Sequence, residues 1–244
     1  MNRISYKQNE DYWAGRYEAQ NVESFIFRFY GRILKNDFGI DGKNHENILD
    51  FGCGEGGALN FFFKKGFNVF GVDIAKNDIE VAKETLGNQE FKRGGAKANF
   101  ELIDSVPYLG QRYFANLYPK GEWIDVAVSI QTLDFLSDTD CQTVLRNIYD
   151  QMKPGAVIYA SFNGTKLYYY NHSHPLANGD GLRHVKFNNG RVSYDLLLNF
   201  CDSREEMRDK FSMFKPLYLD YYDSSFREEG SEFRWTFCGI KPKK

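Results

Sequence analysis

The stretch NILDFGCGEGGALNFFFKKGFNVFGVDI, residues 47–74, limits the fold more than any other part of the chain. NILDF has the short apolar run of a buried strand, and glycines follow at Gly52, Gly54, Gly56 and Gly57. ALNFFFKK then carries the apolar residues of a helix that Gly66 closes, and FNVFGVDI is a second strand. Strands that alternate with helices in this way imply a parallel sheet covered by helices on its faces. At 244 residues, 42% of them hydrophobic, the chain suits one such domain with a full-sized core better than two small ones.

The alternation extends in both directions. Upstream, NVESFIFRFYGRILKNDFG spaces Val22, Phe25, Ile26, Phe29, Ile33 and Leu34 along one helical face, with Asn21 as N-cap and Gly39 near the stop. Downstream, KNDIEVAKETLG predicts a helix with Ile79, Ala82 and Leu86 on one face. ANFELID and EWIDVAVSI are the third and fourth strands, TDCQTVLRNIYDQM is a helix begun near Ser137, and AVIYASF is the fifth strand. Beyond residue 162 the pattern changes. HVKFNNGRVSYDLLL reads as a hairpin about Asn188 to Gly190, Ser203 and Glu206 form a capping box for REEMRDKF, and PLYLDYYDSSF with EFRWTFCGI reads as a terminal antiparallel pair. One domain is therefore expected over 1–244: an N-terminal helical cap (1–46), a core (47–162), a lid insertion (163–202), and a closing helix with antiparallel strands (203–240).

Formal charge is −2, and no window gathers Lys and Arg as a phosphate-tracking surface would, so nucleic acid is not expected as a partner. The first residues lack the apolar core of a signal peptide, and no apolar run of about 18 residues is present, so the expected setting is cytoplasmic and away from membranes. Four cysteines stand far apart without a CxxC pair, which specifies neither a disulfide framework nor a zinc site.

Gly52, Gly54 and Gly57 satisfy G-x-G-x-x-G between a strand and a helix, and Asp73 ends the second strand where a carboxylate can receive the hydroxyls of an adenosine ribose. That set marks a nucleoside site. Asp50 and Glu55 decide between nucleosides by charge. A dinucleotide brings a doubly negative pyrophosphate to the turn, whereas S-adenosylmethionine brings a sulfonium and an ammonium. Two unit charges about 6 Å apart at an effective dielectric near 20 interact by roughly 3 kcal/mol, so the acids favour the cationic ligand.

ILDFGCGEGG, VFGVDIA, FELIDS, WIDVAVSIQTLDFL and MKPGAVIYASF, in that order, resemble the successive motifs of class I S-adenosylmethionine-dependent methyltransferases. The resemblance covers residues 47–162 and implies an α/β fold, a Rossmann-like three-layer α/β/α sandwich with a seven-stranded, mostly parallel sheet whose last strand is antiparallel. It also implies S-adenosyl-L-methionine as cofactor. Asp50, Gly52, Cys53 and Gly54 would line the methionine moiety, Asp73 the ribose, Ile74 the adenine face, and Asp104 with Ser105 the adenine edge. Ser129, Ile130 and Gln131 would face the amine and the transferring methyl. The early DYWAGRY is similar to a family segment that closes over the cofactor, which puts Trp13 and Arg16 near its carboxylate.

The acceptor side is less specific. The segment 163–184, NGTKLYYYNHSHPLANGDGLRH, is the candidate acceptor lid. His172 and His174 are candidate bases for a hydroxyl proton, as is Asp134 in QTLDFL, while Tyr168, Tyr169, Tyr170 and His184 are candidate acceptor contacts. His172 and His174 with Asp180 do not by themselves specify a metal site, and none is expected. SIQTL is unlike the N-P-P-Y type of motif expected of enzymes that methylate a nucleobase amine. The expected acceptor is a small molecule that offers a hydroxyl, such as a sugar or other polar metabolite of surface-polysaccharide assembly, and the expected state is a monomer or homodimer. A nicotinamide-dependent oxidoreductase on the same fold and a non-catalytic binding subunit are the alternatives.

Overall fold

In a computed structural model of the chain, the described residues are 22, 24–87, 95–103, 111–119, 121–188, 190, 193–226 and 230–243. The strands β1 (Asn47–Phe51), β2 (Asn68–Asp73), β3 (Ala98–Leu102), β4 (Ile124–Ser129) and β5 (Met152–Asn163) pair in parallel in the order β3-β2-β1-β4-β5. After β5 come three short strands, β6 (Ser173–Pro175), β7 (Leu182–Asn188) and β8 (Ser193–Asn199), which make their own antiparallel sheet. The main sheet resumes with β9 (Lys215–Tyr222). A two-residue pair, β10 (Ser225–Phe226) and β11 (Gly230–Ser231), leads into β12 (Arg234–Ile240), which inserts antiparallel between β5 and β9. The main sheet thus has seven strands with one reversed, as the family resemblance implied.

Strand alternation divides the apolar residues between the two faces of the sheet. Ile48, Val69, Val126, Val128 and Val157 face one way, against Leu59, Phe62 and Phe63 of α2 (Gly57–Lys65) and Ile79 and Leu86 of α3 (Lys76–Gly87). On the opposite face, Leu49, Phe70, Ala127 and Ile158 meet Val144, Leu145 and Ile148 of α4 (Asp138–Gln151) and Met207 of α5 (Arg204–Lys210). A third, smaller core of Leu167, Val185, Leu196, Leu198 and Phe200 belongs to the segment after β5.

The leading helix, α1 (Ser24–Arg28), departs from expectation by continuing as a π-helix over Phe29–Asp37. Its buried residues are Ile26, Phe29 and Leu34, and Ile33 is only partly buried. Val22, Phe25 and Ile33 pack against the same core, so the expected apolar face holds while the winding over Phe29–Asp37 is wider than the α-helix expected there. The N-cap assigned to Asn21 lies outside the described residues. Strand β5 also begins earlier than expected, because the KPG segment joins the sheet, with the Gly155 N–H donating to Lys241 O. Other boundaries fall close to expectation: Gly66 closes α2 at φ 105°, and the Ser137 and Ser203 hydroxyls accept N–H bonds at the starts of α4 and α5.

Glycine inside β2 has a packing reason. A Cβ on Gly71 would fall 2.7 Å from Cys53 Sγ, 2.7 Å from Phe100 and 2.8 Å from Leu59. The bare backbone leaves room for the turn after β1 to fold back over β2. Gly71→Ala is expected to cost about 1–3 kcal/mol through overpacking, read as a lower urea midpoint with an unchanged slope.

Candidate active site

The turn that follows β1 folds over the end of β2. The N–H groups of Gly52 and Cys53 both donate to Val72 O (2.8 and 3.1 Å), Gly54 N–H donates to Asp73 Oδ2 (2.8 Å), and Gly56 N–H donates to Cys53 O (2.9 Å). Asp73 Oδ1 receives the Ala75 N–H at 2.9 Å. Two glycines are required here. Gly52 has φ 82°, and its absent Cβ would sit 2.1 Å from Thr132 Oγ1; Gly54 has φ 50°. A dinucleotide-binding turn directs free N–H groups at a pyrophosphate. Here the N–H groups of Gly52, Cys53, Gly54 and Gly56 are all engaged within the protein.

Carboxylates surround the turn. Asp50 is 4% exposed, and its Oδ1 has no hydrogen-bond partner. Burial, then the charge of Asp73, pushes its pKa well above the ordinary range. Burial also raises Asp73, against the pull of the Ala75, Gly54 and Ile74 N–H groups. A fourth acid joins Asp50, Asp73 and Glu55. Asp78, on the first turn of α3, is raised to about 6 by burial, by Asp73 and by Glu55. In sequence Asp78 looks like an ordinary helix-start acid, and nothing in KNDIEVAK signals that the turn would bury it. The same concentration of acid raises the Cys53 thiol well above its usual value, burial leading.

These residues fit S-adenosylmethionine. A buried carboxylate oxygen lacking a partner, and carboxylates with lone pairs beyond those that backbone N–H groups occupy, can receive an ammonium and ribose hydroxyls. The same set repels a diphosphate.

The chain after β4 closes the site on its other side. Ser129 Oγ donates to Phe51 O at 2.9 Å, tying β4 to the end of β1. Gln131 takes φ 53°, an uncommon backbone for a residue with a side chain; its N–H donates to Ser161 Oγ (2.8 Å) and its Nε2 to the Tyr222 hydroxyl (3.2 Å). Ile130 and Ile74 are half-buried, packed on opposite cores. Asp134, in the tight turn Leu133–Phe135, is 1% exposed, with Arg234 Nη1 3.5 Å from Oδ2 and neither oxygen in a hydrogen bond. Burial raises its pKa, opposed first by the Arg234 charge. Arg234 and Asn163 sit opposite each other in the β12–β5 register and are joined by a side-chain hydrogen bond. Neither attracted notice in the sequence, because only the antiparallel insertion of β12 brings them to Asp134. Trp13, Arg16, Asp104 and Ser105 lie outside the described residues.

The segment after β5 separates its candidates. Tyr168 and His172 share one short helical turn (Tyr168–His172), and the His172 ring lies 4.8 Å from both the Tyr168 and Phe187 rings. Tyr169 packs on Tyr194, and Tyr170 packs between Phe200 and the Arg183 guanidinium. His174 is exposed and faces His184 across the β6–β7 pair, and His184 Nε2 bonds Asp195 Oδ1 at 2.7 Å. Asp180 is engaged elsewhere, accepting the Thr139 N–H at the start of α4 (2.8 Å). No group of three or more His, Cys, Asp or Glu side chains placed to hold a metal occurs among the described residues. No helix among them is long and apolar enough to cross a membrane.

Sheet order and an acid-lined glycine turn at the carboxyl ends of the strands define a Rossmann-like fold with a candidate nucleoside site. Residues 42–213 match the family model described as a methyltransferase domain, so the chain belongs to that family. A sterol 4-C-methyltransferase of Caenorhabditis elegans is 24% identical over 144 residues, covering 57% of this chain and 37% of that protein. The chain spans half or less of the length of the curated relatives it matches. Among solved structures, a SAM-dependent methyltransferase of Methanosarcina mazei superposes with TM-score 0.68 at 17% identity, covering 92% of this chain and 100% of that one. The magnesium protoporphyrin IX methyltransferase of Synechocystis with bound SAH superposes with TM-score 0.56 at 16% identity, over 98% of this chain and 84% of that one.

Asp73 closes the turn, and the resemblance would have the same carboxylate receive the ribose hydroxyls. Asp73→Ala is expected to weaken S-adenosylhomocysteine binding by roughly a hundredfold, the loss of two charge-assisted hydrogen bonds, read by isothermal titration calorimetry. A change of under threefold would remove Asp73 from the site.

Proposed function

We propose that the chain transfers a methyl group from S-adenosylmethionine to a hydroxyl of a small polar molecule, such as a sugar or related metabolite, held under the 163–202 segment, with His172 as the base. S-adenosylmethionine supplies the methyl group: the acceptor oxygen bonds to the methyl carbon as the carbon–sulfur bond breaks and its electron pair returns to sulfur. The chain's own part is to orient the two reactants and to take the hydroxyl proton.

The observation that supports this reading is the half-exposed His172 ring, held between Tyr168 and Phe187 on the segment that follows β5. An imidazole is a side chain that can take a hydroxyl proton, and the adjoining Tyr168 ring, against which Gly230 fits without a side chain, offers a stacking surface for an acceptor ring. His174 is exposed and His184 is paired to Asp195, which leaves each less suited to the role. Asp134 supports a second reading, since its carboxylate, in the turn after β4, has Arg234 as its ion-pair partner but no hydrogen bond to either oxygen. It is almost wholly buried, so an acceptor reaches it only if that turn moves. Nothing in the relatives fixes the acceptor, and the small-molecule class and a monomeric or homodimeric state are parts of the same proposal.

Incubation with methyl-labelled S-adenosylmethionine and a panel of sugars and polar alcohols identifies the acceptor by label transfer. With that acceptor, His172→Ala is expected to lower kcat by about a hundredfold or more while S-adenosylhomocysteine affinity stays within about twofold. Full turnover in His172→Ala with loss in Asp134→Asn moves the base to Asp134; full turnover in both rejects a base-assisted hydroxyl acceptor.

A further inference from the structure

We propose that Asp78 makes the cofactor site prefer the charged, methyl-bearing nucleoside over the neutral nucleoside that remains after transfer. This rests on the S-adenosylmethionine assignment and adds a residue to it. The two nucleosides share their adenosine, amine and carboxylate and differ in the methyl group and the positive charge it places on sulfur. A carboxylate separates them through that charge.

Asp78 is placed to do so. Although it stands on the first turn of α3, it is only 5% exposed, and its Oδ2 lies 3.9 Å from where a Cβ on Gly54 would be, so the carboxylate faces the glycine turn. The described groups acting on it are Asp73 from the end of β2, Glu55 from the turn, and the neighbouring Cys53 thiol. Lys76 of the same helix pairs outward with Glu80 at 3.8 Å. A helix start ordinarily favours a carboxylate, yet burial and two like charges outweigh that here and raise Asp78 to about 6. Asp50, buried on the other side of the turn with an unpartnered Oδ1, shows that the same charge deficit extends across the site.

Two consequences follow from the sign of that shift. Ionising Asp78 in the free protein costs stability, because its folded pKa lies above its ordinary value; stability is highest below that ordinary value and falls as pH rises toward about 6. Above about 6 the ionised carboxylate attracts a sulfonium, and below it the neutral acid does not.

Calorimetric titration with S-adenosylmethionine and with S-adenosylhomocysteine, at pH 8 and near pH 5, together with thermal melting of the ligand-free protein, tests the proposal on Asp78→Asn and Asp78→Glu. At pH 8, Asp78→Asn is expected to weaken S-adenosylmethionine about tenfold and S-adenosylhomocysteine less than about twofold, to remove the pH dependence of their affinity ratio, and to raise the ligand-free Tm by a few degrees. Asp78→Glu should keep the preference. Equal weakening of both nucleosides, a lowered ligand-free Tm, or an unaltered pH-dependent ratio in Asp78→Asn would each overturn the proposal. If neither nucleoside binds the unaltered protein, the cofactor assignment fails and takes this inference with it, whereas binding of both with an unchanged ratio overturns this inference alone.

Discussion

The Asp73 carboxylate holds the glycine turn closed by taking the Gly54 N–H on one oxygen and the Ala75 N–H on the other. From that closure follow both the shape and the charge of the site. With the Gly52 and Cys53 N–H groups also bound to Val72 O, the turn offers few donors to a ligand and surrounds it with acceptors. A turn with the glycine spacing of a dinucleotide site is thereby suited to a cation-bearing nucleoside. The clearances at Gly71 toward Cys53 and at Gly52 toward Thr132 serve the same closure, because a side chain at either position would push the turn off β2 or off the chain after β4.

Crowded acids are unfavourable in the free protein. Asp50, Asp73 and Asp78 all have raised pKa values with burial as the leading cause, and none is offset by a described lysine or arginine. The contrast with the opposite end of the sheet is instructive. There Asp125 is paired to Lys153 at 2.7 Å and also accepts the Asn47 N–H, so its charge is matched. Asp50, Asp73 and Asp78 instead gather at the carboxyl ends of β1 and β2 and the start of α3, the end of the sheet where the fold class places its cofactor. Local stability is surrendered where binding is gained.

Much of this was legible in the sequence. The helix KNDIEVAKETLG was found as Lys76–Gly87, and the glycine at its end and the spacing of its apolar face explain why. The strand, glycine turn and helix from Asn47 to Gly66 were equally plain. What escaped depends on contacts across the sheet. The π winding of Phe29–Asp37 replaced an assumed period of 3.6. Asp78 gave no sign of its burial, and Arg234 and Asn163 meet Asp134 only through the reversed insertion of β12. The lid residues carry chemistry-bearing side chains at spacings that fix no partner, so His172 stands apart from His174 and His184 only once the short turn and the β6–β7 pair have formed.

The most direct measurement is calorimetric titration of the ligand-free protein with S-adenosylhomocysteine and, in separate samples, with NADH, both alone and with S-adenosylhomocysteine already bound. If the closed, acid-lined turn governs ligand choice, S-adenosylhomocysteine binds at one site per chain and saturating NADH neither gives heat nor displaces it. Competitive binding of NADH at comparable affinity would contradict the account at its base, since a turn that seats a diphosphate cannot owe its selectivity to Asp50, Asp73 and Asp78.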